Sequence, residues 1–302
     1  MYDASSTSLI TDPRHPLIQR LRSLQTPKGR AESGCYLIEG IRHVARAIEA
    51  DAPIEHLFVA PSTLASPLGQ KLARRLRQSG TPCAKLAPDI YRRLSLAATP
   101  QGIGAVIRQD WLPLGAARPS RGDCWLAAED VQSPGNLGTM IRTSEAAGAA
   151  GIILIGRTAD PYDPTALRAT MGALFTQKLV RTTAREFAAW STSCRLTLIG
   201  SSPSAARDYR EVRYRRPVVV LVGGERHGLS SELKSACSSL VRIPIARSGL
   251  DSLNVAVAAG ILVYEAFYQH RQPSDDRAPL TSPAGRSLTG PNPRNQASPG
   301  GV

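Results

Sequence analysis

Ile243 to Tyr264, IPIARSGLDSLNVAVAAGILVY, is the stretch on which the reading of this chain turns. It opens with a short apolar strand fragment that ends at Pro244, because proline has no N–H to continue a ladder. A polar turn containing Gly249 follows from Ala246 to Asp251. Ser252-Leu253-Asn254 then stands at the mouth of a helix of small residues predicted over Val255 to Phe267. Ser and Asn are good helix caps, since their oxygens accept from the orphan N–H groups of the first turn. The same arrangement also makes a ligand cradle, with free backbone donors beside short polar side chains. Both readings are open on these residues alone.

Working outward, Pro217–Val222 is the most strand-like run and leads into GGERHGLSSELKSAC, a Gly-rich turn followed by a helix. Cys124–Ala128 is a further apolar strand ending at Glu129-Asp130. The loop VQSPGN then enters a helix, LGTMIRTSEAAG, closed by Gly148. Strands are predicted at Gly151–Ile155, Lys178–Arg181 and Leu196–Gly200, and helices at Thr165–Leu174 and Ala184–Ser193. Continuous apolar strands alternating with helices predict α/β architecture with a parallel sheet covered on both faces. This second domain is expected over residues 123–272.

Upstream, PLIQRLRSL reads as a short basic amphipathic helix, with Leu17, Ile18, Leu21 and Leu24 at helical spacing. Strands at Cys35–Ile38, His56–Val59, Cys83–Leu86 and Gly102–Ile107 alternate with helices at Gly40–Ala50, Leu68–Arg77 and Pro88–Leu96. A small N-terminal α/β domain is expected over residues 15–108. Pro113, Gly115, Pro119 and Gly122 mark 109–122 as a linker. Residues 1–14 read as a flexible leader, and 273–302, rich in Pro, Ser, Gly and Arg, as a disordered tail.

The 302 residues carry 37 Lys+Arg against 24 Asp+Glu, a formal net charge of +13. That excess attracts polyanions, with nucleic acid the first partner to consider and a membrane surface the second. No large apolar anchor accompanies the charge and no apolar run reaches membrane-spanning length, so no membrane association is expected. Five widely spaced cysteines without a CxxC pair argue against disulfides and zinc and fit a reducing cytoplasm. No metal site is expected. With 5% aromatic residues, phosphate and shape contacts should outweigh base stacking.

Three polar segments of the second domain lie at predicted strand ends, the edge where open α/β sheets bind ligands. They are Asn136 with Arg142 and Glu145, the turn Gly223 to Gly228, and Ser252-Leu253-Asn254. Each has a plain alternative: Asn136 as a cap, Arg142–Glu145 as a surface ion pair, the glycines as turn and packing residues. Three such loops on one sheet call for a joint account. No GxGxxG fingerprint, GxxxxGK[ST] loop or GxSxG elbow is present.

The set NLGTMIRTSEAAG, LVGGERHGLS and IPIARSGLDSLNVAVAAGILVYEA resembles the three signature motifs of the SpoU/TrmH-type RNA 2′-O-ribose methyltransferases of the SPOUT superfamily. DPTALRATMGALF resembles a further block of that family. YLIEGIRHVARAIEA and QGIGAVI resemble its small ribosomal-protein-like substrate-binding domain. The resemblance implies a SPOUT-like parallel sheet with a C-terminal trefoil knot, a homodimer, and bent S-adenosyl-L-methionine as cofactor. Gly200, Gly223, Gly224, Ile243 and Leu253 would bind the cofactor. Asn136, Arg142, Glu225, Ser252 and Asn254 would form the catalytic set. A guanidinium stays protonated, so Arg142 is expected to orient the ribose and its phosphate, with the other four positioning it. His227 is expected to be a bystander. The implied substrate is RNA, ribosomal RNA first, with a tRNA 2′-O-methyltransferase or a non-catalytic RNA-binding protein as alternatives. Arg20, Arg22, Lys28, Arg30 and Arg42 are the candidates for the RNA-binding surface.

Overall fold

Six helices begin with a proline in their first turn, five of them directly after a His, Thr, Ser or Asp whose side chain accepts from a first-turn N–H. Proline there loses no hydrogen bond and presets the helical φ, so these dipeptides fix where helices start. The computed structural model of the chain describes residues 8–246, 249 and 252–271. The expected tail, the first half of the leader up to Thr7 and most of the turn from Ala246 to Asp251 lie outside the described residues.

The elements run β1 (Leu9–Ile10), α1 (Pro16–Ser23), α2 (Pro27–Ser33), β2 (Cys35–Glu39), α3 (Ile41–Glu49), β3 (Ile54–Val59), α4 (Pro67–Gln78), β4 (Cys83–Leu86), α5 (Pro88–Leu94) and β5 (Ile103–Arg108). These strands form a five-stranded mixed sheet in the order β1-β4-β3-β5-β2. The chain continues with β6 (Cys124–Glu129), α6 (Pro134–Ala146), β7 (Gly151–Ile155), α7 (Pro164–Thr170), β8 (Lys178–Thr182), α8 (Ala184–Ser193), β9 (Thr197–Ser201), β10 (Arg207–Asp208), β11 (Val218–Gly223), α9 (Ser231–Ala236), β12 (Ser239–Arg242) and α10 (Val255–Arg271). The second sheet has seven strands in the order β10-β12-β9-β11-β6-β7-β8, all parallel. An α/β fold with a parallel sheet and a smaller N-terminal α/β part is therefore what the chain adopts.

Strand pleat explains the layers. In β6, Leu126 and Ala128 face the cluster containing Met140 of α6 and Leu262 of α10, whereas Trp125 and Ala127 face Phe187 of α8 and Leu233 of α9. With apolar helices on both faces, β7 and β11 are runs of apolar residues and β6 is apolar up to Glu129 at its end.

Several local expectations change. The leader already contains β1, whose Leu9 and Ile10 pair with Lys85 and Leu86 of β4. The helix expected to Leu174 stops at Thr170, because Met171 (φ 53°) and Gly172 (φ 92°) turn left-handed before a short 3-10 turn. The strand expected at Ile243 ends one residue earlier, at Arg242. Helix α2 goes beyond the expected elements: it rests on Thr26 capping the N–H of Gly29 at 3.1 Å.

Helix α2 also carries the largest correction among the candidates. Arg30, expected on an RNA-facing surface, is 1% exposed. Its guanidinium donates to Asp160 at 2.7 Å and Asp163 at 3.4 Å, and to the carbonyls of Leu24 and Gln25 at 3.2 and 3.1 Å. Four of its five N–H donors are committed to protein, so Arg30 ties the first sheet's helices to the loop before α7. Beside it Tyr36 packs on Tyr162 with ring centroids 4.4 Å apart, and Trp111 meets Tyr162 edge-on at 5.4 Å.

Candidate active site

Because the second sheet is wholly parallel, the C-terminal ends of β6, β9, β11 and β12 open on one edge, at Glu129, Ser201, Gly223 and Arg242. The turn after β11 is closed by backbone: the Gly228 N–H donates to the Gly224 carbonyl at 2.9 Å, with Gly228 at φ 62°. A Cβ on Gly223 would lie 2.0 Å from the Gly228 carbonyl carbon, and one on Gly224 would lie 2.6 Å from the Asp130 carbonyl oxygen. Protein atoms thus occupy both places. The far end of the turn is pinned by Glu129, 6% exposed, which accepts from the Ser230 N–H at 2.7 Å. Nothing local in the sequence marked Glu129 for this, beyond its place at the end of an apolar strand.

The turn holds Glu225 at the edge, where the three polar segments meet. Asn136 donates from Nδ2 to Glu225 Oε1 at 2.9 Å, and Asn254 donates from Nδ2 to Asn136 Oδ1 at 3.1 Å. Asn254 Oδ1 in turn accepts from the N–H groups of Ala256 and Val257 at 2.9 and 3.3 Å. Those backbone donors fix which way the Asn254 amide faces, and the direction passes on to Asn136 and Glu225. Burial opposes ionisation of Glu225, but donation from Asn136 and from the N–H groups of Glu225, Gln132 and Ser133 prevails and holds its carboxyl below the ordinary glutamate value. Asn136 is free for this role because Ser133 caps α6, accepting the Asn136 N–H at 3.3 Å. At α10 the cap is Asn254, and Ser252 lies exposed two residues before it.

Arg142 is not part of this chain of amides. It lies about 9 Å further along the α6 axis and about two-thirds of a turn round from Asn136. It is exposed, and no hydrogen bond or ion pair to the described residues engages it. The alternative reading of Arg142 and Glu145 as a surface ion pair is not met among the described residues; Glu145 accepts from Arg46 of α3 at 3.4 Å. Arg142 lines a cleft of about 250 Å³ with Arg42 and Arg46, so the first sheet's helix and α6 face each other across it. Of the remaining basic candidates, Arg20 donates to Glu55 at 2.8 Å, Lys28 sits 3.8 Å from Glu32, and Arg22 is exposed.

A nucleoside cofactor needs backbone donors and acceptors together with apolar surface. Ile243 and Leu253 offer both. Among the described residues no hydrogen bond uses their backbone N–H or C=O, and Leu253 is 36% exposed. These residues fit S-adenosylmethionine. Gly200 serves differently: a Cβ there would lie 2.6 Å from Cys237 Sγ, so it makes room for protein. Burial and the nearby Glu129 push the Cys237 thiol up to about 11, leaving it neutral. Among the described residues no cluster of His, Cys, Asp and Glu could hold a metal ion.

Comparison with known proteins finds relatives of both parts of the chain. Residues 123–264 match the SpoU rRNA methylase family, and residues 15–105 match the MRM3-like substrate binding domain. An uncharacterized tRNA/rRNA methyltransferase of Synechocystis is 31% identical over 88% of this chain and 95% of its own length. A 23S rRNA (uridine(2479)-2′-O)-methyltransferase of Streptomyces viridochromogenes is 30% identical, covering 80% of this chain and 85% of that protein. The crystal structure of an AdoMet-bound rRNA methyltransferase from Sinorhizobium meliloti superposes with a TM-score of 0.80 at 31% identity, over 88% of this chain and 99% of its own.

Proposed function

This chain belongs to the SpoU rRNA methylase family, and from that membership we propose that it methylates a ribose 2′-hydroxyl in ribosomal RNA. The observation that carries the reading is the bonded series Asn254–Asn136–Glu225, which joins all three motif segments at one sheet edge. A scaffold kept only for binding RNA would not need three separate loops locked in one orientation. The cofactor supplies a methyl group on a sulfonium centre. The hydroxyl oxygen forms the new C–O bond, the C–S bond breaks, and the hydroxyl proton leaves to solvent or a neighbouring base.

The protein's part is positioning. Holding the two reactants in line supplies much of the acceleration. Ile243 and Leu253 would take the adenine through their unused backbone groups, while Gly223 and Gly224 keep the turn tight enough to face it. The ionised Glu225 and the two asparagines hold the edge rigid around the ribose, and Ser252 is close enough in sequence to contribute its hydroxyl there. Arg142, a permanent cation, orients the ribose phosphate. His227, exposed at the tip of the turn, is a bystander.

We also propose a homodimer built on α10, whose exposed Val257 (52%) and Tyr268 (55%) leave apolar surface to cover. The strand order at β9–β12, with backbone packed on backbone at Gly223, supports a C-terminal segment threaded as a trefoil knot. The cytoplasm is the compartment this substrate implies.

The test is methyl transfer from radiolabelled S-adenosylmethionine to ribosomal RNA taken from cells lacking the gene, followed by nuclease mapping. Label in one 2′-O-methylated nucleotide is expected. Transfer to tRNA alone would replace the substrate, and no transfer to either RNA would overturn the enzymatic reading.

A further inference from the structure

We propose that the cleft between α3 and α6 is a phosphodiester subsite for the RNA, in which Arg42 and Arg46 grip the backbone beside the ribose presented to the active site. This deepens the RNA-methylation reading and rests on it.

The cleft, about 250 Å³, is lined by Arg42 and Arg46 from α3, Arg142 and Glu145 from α6, and Thr170 and Met171 from the end of α7. Three guanidinium groups and one carboxylate leave it strongly positive. Arg42 and Arg142 are exposed and have no ion-pair partner among the described residues. Like charges gathered on one concavity repel one another, and a bound anion turns that cost into attraction. Guanidinium forks suit the tetrahedral oxygens of a phosphate.

Arg46 is placed for this by the backbone. The left-handed Met171 and Gly172 bring the chain against its stem, where a Cβ on Gly172 would lie 2.8 Å from Arg46 Cγ. Its two terminal nitrogens reach Glu49 at 3.3 Å and Glu145 at 3.4 Å. These contacts are long and partly exposed, so a phosphate can compete for the same nitrogens. Glu145 then acts as a stand-in anion that keeps Arg46 extended across the cleft until RNA arrives. A cleft shared by α3 and α6 couples RNA docking on the first sheet to the helix that carries Asn136. The space suits a phosphodiester and its sugar, too small for a stacked run of bases.

The experiment measures binding of a fluorescent oligouridylate to the full chain by anisotropy over a range of KCl, alongside methyl-transfer kinetics on ribosomal RNA. Arg42→Ala and Arg46→Ala are each expected to weaken oligouridylate binding and to lower the slope of log Kd against log salt by about one. In the kinetics, the KM for RNA should rise roughly tenfold, with kcat at saturating RNA and S-adenosylmethionine affinity little changed. Arg46→Lys should restore binding in part, and Glu145→Gln should tighten it. Thermal melting separates an interdomain strut from a phosphate site, and Arg42, which has no protein partner among the described residues, can be changed without loss of the fold. An unchanged slope and KM in both alanine variants would overturn the proposal. So would competition by inorganic phosphate that the variants abolish while RNA affinity stays intact, since that outcome marks a free-anion site. Absence of methyl transfer by the wild-type protein, with oligouridylate binding still sensitive to Arg42 and Arg46, would instead remove the enzymatic reading and leave the subsite standing.

Discussion

Asn254 donates to Asn136 across 3.1 Å, joining two residues that lie on different helices and are far apart in the chain. One amide caps α10, the other holds Glu225, and neither can turn without breaking a bond to the next. The arrangement makes the active-site edge a consequence of how three loops pack.

Asn136→Ala removes the middle of that series. Methyl transfer should fall by about two orders of magnitude or more, by analogy with the loss of a positioned polar group in other active sites. Stability should drop by about 1 kcal/mol, since one ordinary hydrogen-bond set is lost at a partly exposed site. In a chain of this size that lowers Tm by about 2–4 °C. Calorimetric titration should show S-adenosylmethionine affinity nearly unchanged. Wild-type turnover by this variant would contradict the role given to Asn136.

The folded-state value of Glu225 lies below its unfolded one, because its hydrogen-bond donors outweigh burial. The stabilisation is therefore present above the unfolded glutamate value and is lost as pH falls through the depressed folded one. Urea midpoints measured from neutral into acid should fall more steeply for the wild type than for Glu225→Gln. Parallel curves would mean that the carboxylate is not held by these donors.

Arg30→Met leaves Asp160 and Asp163 without their buried partner. A loss of about 3 kcal/mol is expected from breaking such a pair, read by chemical denaturation. The salt slope of RNA binding should not change, because no Arg30 donor faces solvent. A reduced slope with unaltered stability would return Arg30 to the RNA surface.

Gly223→Ala and Gly228→Ala separate two reasons for glycine. At Gly223 a Cβ collides with backbone 2.0 Å away, so the turn must open, and S-adenosylmethionine binding should fall by well over tenfold. At Gly228 the space is open and only the positive φ is strained, which costs about 1 kcal/mol. Equal effects of the two substitutions on cofactor binding would show that the turn does not form part of that site.

Much of the fold was legible locally. Apolar runs such as Val218–Val222 act within a few residues, so periodicity was enough to place most strands and helices, although α6 starts at Pro134 with Ser133 as its cap rather than at Leu137 with Asn136. Short elements escaped: β1 and β10 have two residues each and exist only through their partners β4 and β12. The helix after Pro164 read as longer than it is, because composition does not announce that Met171 turns left-handed.

At the site, the residue types are read directly from the chain: amides at 136 and 254, a carboxylate at 225, a Gly-rich turn and an excess of arginine. Those are properties of side chains, present before folding. What each one faces was settled by folding. It took Arg30 from the surface into a buried ion pair, set Glu145 against Arg46 of another helix, and made Asn254 rather than Ser252 the cap. The physical reason is that hydrogen bonds and ion pairs act over a few ångströms in space, and which groups come that close depends on contacts between residues remote in sequence. For the stretch from Ile243 to Tyr264, the sequence specified a cap and a helix of small residues, and the packing of α10 beside α6 turned that cap into one wall of a site.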